Sequence, residues 1–127
     1  MKLALDTNRY TDLMHRQADV VRIVESADEI MMPFAVLAEL RFGFRYGSKA
    51  DVNVRVLSAF LQRPAVRSQF PDDDTIVVYA ELANELRRIG RMIPNNDLWI
   101  AALCVQHGFT LYTRDRHFEH LKRLPCA

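Results

Sequence analysis

The chain has little sulfur chemistry to offer. Its two cysteines, Cys104 and Cys126, show no metal-type spacing, which excludes a thiolate zinc site. Cys104 lies inside the apolar run LWIAALCVQH and reads as a buried thiol, so a reducing compartment is expected. Net charge is also lacking: 17 basic residues face 16 acidic ones, a formal balance of +1. There is no global electrostatic pull toward nucleic acid or membrane, and any polyanion must be held by a local patch. No apolar run is long enough to cross a bilayer, and the opening MKLALDTNRYTD turns polar too soon for a signal peptide. Repeats, low-complexity tracts and linkers are absent. What remains is a composition of 50% hydrophobic and 26% charged residues over 127 positions. That suits one globular domain, residues 1–127, with a real core and an expected cytoplasmic location.

Periodicity organises the chain as short apolar strands alternating with helices. KLAL (residues 2–5) has strand length and is closed by Asp6, Thr7 and Asn8, all good helix openers, with a weak helix following through His15. ADVVRIVESA carries a helical stripe of Val20, Ile23, Val24 and Ala27, and EIMM reads as a second buried strand stopped by Pro33. A helix over Phe34 to Arg45 follows, then one from Asp51 with apolar residues Val52, Val56, Ala59 and Phe60, ended by Pro64. VRSQF reads as a short strand and PDDDT as a solvated helix entrance. DTIVVYAELANELRRIG is an amphipathic helix with the stripe Ile76, Ala80, Ala83 and Leu86. DLWIAALCVQH is a buried helix bounded by Gly108, with Asn95 or Asn96 as its cap. TLYT is a strand, and the tail holds a helical turn and an extended piece. This alternation predicts an α/β sandwich with a mainly parallel sheet.

In open parallel sheets, ligands bind beyond the carboxyl ends of the strands. Asp6 after KLAL and Asp115 after TLYT fall at such ends. Asp97 opens the buried helix, where the helix dipole favours an anion. Taken alone, each is explained as a helix cap. For Asp97 that explanation is already used up by its two asparagine neighbours. Glu39, on a helix that follows a strand, has only Ala35, Val36, Phe42 and Gly43 at the positions where a charged partner is expected. An acid on an apolar helix either meets water through a gap or joins a polar site. Four ionised carboxylates at one sheet edge would repel unless a cation neutralised them. Oxygen donors without His or Cys partners favour Mg²⁺ or Mn²⁺ over zinc. Such an ion activates water and offsets charge at phosphorus, so the cluster suggests phosphodiester hydrolysis.

DTN after the first strand, AEL in the third helix, IPNNDLWIAAL and LYTRDRHF together resemble the PIN domain. More narrowly they resemble the VapC ribonuclease toxins of type II toxin–antitoxin systems. The resemblance covers nearly the whole chain, in order. It implies a PIN-like three-layer sandwich and a Mg²⁺-dependent endoribonuclease, with Mn²⁺ as a substitute. Asp6 and Asp97 match the principal metal ligands, Glu39 the third acid and Asp115 the fourth, while Asn8 and Thr113 match supporting polar residues. It further implies a homodimer, inhibition by a small cognate antitoxin, and operator DNA binding only through the antitoxin complex. Arg9-Tyr10 replaces the apolar pair common after DTN, and Arg91-Met92 precedes IPNND.

Basic residues flank the acids: Arg41 and Arg45, Arg87, Arg88 and Arg91, Arg114 and Arg116. Arg114 and Arg116 adjoin Asp115 and are the favoured RNA contacts; the others read as solvated. The aromatics of FGFRYG read as core or as an antitoxin groove, and Trp99 as core or dimer interface. His117 and His120, though spaced to suit a metal, read as surface residues near a fraying end. Two other functions share parts of this pattern. A phosphoacceptor receiver domain needs paired acids after its first strand and a late lysine; here a lone Asp6 follows KLAL and Arg114 stands beside Asp115. A catalytically silent PIN domain acting as a binding or co-repressor module is opposed by the intact acid set.

Overall fold

A computed structural model describes residues 1–127. In its first strand, β1 (Lys2–Leu5), the residues Leu3, Ala4 and Leu5 are all fully buried. Successive strand residues point to opposite faces, so β1 is covered on both sides, the condition under which parallel sheets occur. Ile30, Met31 and Met32 of β2 (Glu29–Pro33) are buried in the same way. The sheet is completed by β3 (Val66–Gln69) and β4 (Thr110–Tyr112). Its order is β3-β2-β1-β4 and every pairing is parallel. The α/β class expected from the alternation is the observed one. This order differs from the five-stranded 2-1-3-4-5 arrangement of receiver domains.

Six helices supply the covering layers: α1 (Thr7–Met14), α2 (Ala18–Ser26), α3 (Phe34–Phe44), α4 (Ala50–Leu61), α5 (Asp73–Arg88) and α6 (Asn95–His107). Helices α5 and α6 pack against each other, α1 packs on α2, and α3 touches α1, α4 and α6. Helix α6 is the central one, with Leu98, Ile100, Ala101, Ala102, Leu103 and Cys104 all fully buried. It ends at Gly108, whose φ of 73° is the left-handed cap conformation that favours glycine. The tail folds back to protect the β4 edge. Leu111 N–H donates to Pro125 O at 2.8 Å, and Ala127 N–H to Leu111 O at 2.8 Å.

Two helix stripes differ from those expected. In α5 the inward residues are Thr75, Leu82 and Leu86, and Ile76 lies exposed. The cause is a capping box: Asp72 accepts from Thr75 N–H at 3.0 Å while Asp72 N–H donates to the Thr75 hydroxyl at 3.0 Å. Thr75 also hydrogen-bonds Gln106 of α6. A buried threonine therefore begins the inward face, which apolar counting does not see. In α4, Leu57 and Phe60 are buried, whereas Val52 and Val56 are exposed. The half-buried Asn53 takes a place on the inward side.

Candidate active site

Register creates the first half of the site. Leu5 pairs with Tyr112 in the parallel β1–β4 ladder, so the next residues, Asp6 and Thr113, leave the sheet side by side. Asp6 is only 5% exposed. As the N-cap of α1 it accepts the Thr7 N–H at 2.8 Å, and its other oxygen accepts the Thr113 hydroxyl at 2.6 Å. Thr113 Oγ1 in turn accepts the Asp115 N–H at 2.9 Å and the Asn8 amide at 3.4 Å. One hydroxyl thus uses its single proton and both lone pairs, tying Asp6, Asn8 and Asp115 into one frame. Asn8 adds a contact of 3.5 Å to Asp6 and accepts the Arg114 N–H at 3.0 Å.

Helix α6 supplies the other half. A helix leading into a parallel strand runs opposite to it, so α6 starts at the carboxyl edge of the sheet. Its cap residue is Pro94, with no side-chain cap bond, and Asp97 sits in its first turn. The expected cap by Asn95 or Asn96 is not formed: Asn95 instead accepts from the Tyr79 hydroxyl at 3.2 Å. Asp97 is therefore the acid at this helix start, where the dipole favours a negative charge. Its side chain is 15% exposed. Burial pushes its carboxyl above the usual carboxylate range. The hydrogen bond to His117 opposes this, and the charges of Asp6 and Asp115 add to it.

Asp115 caps the 3₁₀ turn Arg116–His120 and accepts the His117 N–H at 2.9 Å. That turn carries the His117 ring back over the acids, with Nδ1 3.3 Å from Asp97 Oδ2 and 3.2 Å from Asp115 Oδ2. Ligand atoms of Asp97, Asp115 and His117 all lie within 4.8 Å of one another, a spacing and donor chemistry that fit a small divalent cation. His117 lies at the surface as expected, with 57% of its side chain exposed, and its ring adds a nitrogen beside the carboxylate oxygens. Glu39 joins less directly: its Oε2 accepts the Thr7 hydroxyl at 2.5 Å, next to Asp6.

A buried aspartate outside the four expected acids lies behind this edge. Asp12, 3% exposed, receives Arg114 in a two-pronged contact at 3.0 and 3.2 Å, Arg9 at 3.2 Å and Gln17 at 3.2 Å. The Arg114 guanidinium, expected to face RNA, is turned to this carboxylate. Arg116 is exposed and pairs with Glu119 at 2.8 Å. Arg41, Arg45, Arg87, Arg88 and Arg91 are exposed and form no ion pairs. Arg91, Arg116, His117 and His120 line a shallow cleft beside the acids.

The PIN domain model matches residues 3–124. The chain belongs to the PIN domain family, in its VapC branch. This PIN domain is 31% identical over 125 residues to Ribonuclease VapC2 of Rickettsia felis, covering 95% of this chain and 90% of that one. Its fold superposes on VapBC-1 from nontypeable Haemophilus influenzae with a TM-score of 0.87 and 27% identity, over 100% of this chain and 97% of the other. VapBC2 from Rickettsia felis, solved bound to a DNA fragment from its promoter, gives a TM-score of 0.86 at 27% identity, covering 100% and 98%. Family membership removes the receiver-domain alternative. No helix of this PIN domain is long and apolar enough to cross a membrane.

Proposed function

We propose that residues 1–127 act as a single PIN domain whose function is Mg²⁺-dependent cleavage of RNA, as the cytoplasmic toxin of a type II toxin–antitoxin pair. The observation that carries this reading is the meeting of Asp6, Asp97 and Asp115 at the carboxyl edge of the sheet, with Glu39 attached through Thr7. Asp6, Asp97 and Asp115 hold the divalent cation, Mn²⁺ serving in place of Mg²⁺, and Glu39 completes the acid set. When bound, the ion neutralises the clustered charge, lowers the pKa of water and offsets charge at phosphorus. Thr113 and Asn8 hold the carboxylates in place and align Asp6 with Asp115. Arg116 and Arg91, lining the adjacent cleft, meet substrate phosphates. Arg114 acts from behind, bracing the strand end through Asp12.

The proposed partners have their own surfaces. Phe70, Ile76 and Val77 are exposed beside a stacked aromatic group of Phe34, Trp99 and Tyr79; this face suits a homodimer. A groove lined by Tyr10, Met14, Phe44 and Val56 between α1, α3 and α4 suits the cognate antitoxin. The relatives solved as VapBC complexes support that partner, and operator DNA is bound only through it. Inducing this chain alone should arrest growth, and Asp97→Asn should abolish the arrest. Equal arrest by both forms would overturn the proposed role of the acids.

A further inference from the structure

The geometry points to His117 as a nitrogen ligand of the divalent ion, making the centre a mixed nitrogen–oxygen site that holds Mn²⁺ more tightly than Mg²⁺. This rests on the reading of the acids as a cation site. His117 Nδ1 stands 3.3 Å from an Asp97 oxygen and 3.2 Å from an Asp115 oxygen. An imidazole nitrogen has one in-plane direction of bonding, as N–H or lone pair. Here it is hydrogen-bonded with Asp97, and the Asp115 oxygen stands equally near, so the nitrogen is within reach of both carboxylates. The ligand atoms of Asp97, Asp115 and His117 lie within 4.8 Å of one another, so one small divalent ion could be shared by all three groups.

The local chain explains why the nitrogen is delivered there. Asp115 accepts the backbone N–H of His117 at 2.9 Å, which fixes the turn. Phe118, 1% exposed, anchors the next residue in the core. The ring therefore hangs over Asp97 from a braced backbone, although 57% of its side chain remains exposed to solvent and free to adjust. His120, on the same turn, makes no contact with the acids. Carboxylate and water oxygens serve Mg²⁺ and Mn²⁺ alike. An imidazole donor favours the transition metal, because affinity for nitrogen rises along the first-row series while Mg²⁺ keeps its water.

The test is pulsed electron paramagnetic resonance on Mn²⁺ bound to the 127-residue chain, with Mn²⁺ and Mg²⁺ affinities from direct and competition titrations. The expected result is a directly coordinated ¹⁴N signal in the unsubstituted protein and in His120→Gln, lost in His117→Gln. His117→Gln should weaken Mn²⁺ about tenfold or more and Mg²⁺ by less than about threefold. Mn²⁺ bound without a ¹⁴N signal in the unsubstituted protein overturns the ligand assignment and leaves the acid site standing. So does equal weakening of both ions by His117→Gln. A protein that binds neither ion overturns the cation site itself and the assignment with it.

Discussion

Replacing Thr113 by valine keeps the side-chain shape and removes one hydroxyl. That hydroxyl donates to Asp6 at 2.6 Å and accepts from Asp115 N–H at 2.9 Å and Asn8 at 3.4 Å. A hydrogen bond to a charged group contributes about 1.5–3 kcal/mol and a neutral one about 1 kcal/mol. Thr113 is half-buried, so water replaces part of what is lost, and the net destabilisation should be about 2 kcal/mol. For a chain of this size that lowers Tm by about 6–12 °C. The functional effect should be larger than the stability effect, because the same hydroxyl sets the orientation of two proposed ligands. Metal affinity should fall about 10–100-fold. Thr113→Ser, which retains the hydroxyl, should recover most of the metal affinity. Thermal unfolding in chelator and Mn²⁺ titration of the folded variants separate the two effects. A valine variant with unchanged Mn²⁺ affinity would refute the view that Thr113 organises the acids.

Asp97→Asn should stabilise the metal-free protein by a few degrees at pH 7. Burial raises the folded carboxyl pKa, so ionised Asp97 costs stability once pH exceeds the folded value, and the cost disappears below the unfolded value. The gain should therefore vanish near pH 3.5 and reverse when a divalent ion is added at pH 7; calorimetry in chelator and in Mn²⁺ checks both. Tyr10 is buried with its hydroxyl unpartnered, and burial pushes its pKa up to about 12. Tyr10→Phe should be neutral or more stable by about 1 kcal/mol, and a loss above that amount in urea unfolding would reveal a partner. Val77→Glu should convert a dimer to a monomer in light scattering without loss of fold, since Val77 is 57% exposed on its own chain. An unchanged dimer would place the interface elsewhere.

The strands and the strand-end acids were legible because both follow from local pattern. KLAL, EIMM, VRSQ and TLY are short apolar or β-favouring runs bounded by helix-opening residues, and parallel pairing then places Asp6 and Asp115 at one edge. Glu39 stood out through its lack of charged helix neighbours, and its observed partner is the Thr7 hydroxyl. Less was visible where a polar residue faces inward. Thr75 and Asn53 shift the buried sides of α5 and α4 away from the stripes that apolar spacing selects. Asn95 and Asn96 look like caps, yet the cap of α6 is Pro94, so both asparagines and Asp97 lie in its first turn. His117 could have been found from its position two residues after Asp115, a spacing that a 3₁₀ turn folds back onto the carboxylate. Asp12 reads locally as a helix-surface acid paired with Arg9 three residues earlier; the Arg114 contact lies far away in sequence and is brought near by the β1–β4 pairing.

If the acid cluster is a metal-dependent nuclease centre, the purified protein must cleave RNA. With Mg²⁺ or Mn²⁺ the folded protein should cut RNA, chelator should stop the reaction, and Asp97→Asn should lower the rate by about a thousandfold or more. Cleavage that persists in chelator, or an Asp97→Asn variant that cuts as fast as the unsubstituted protein, would contradict it.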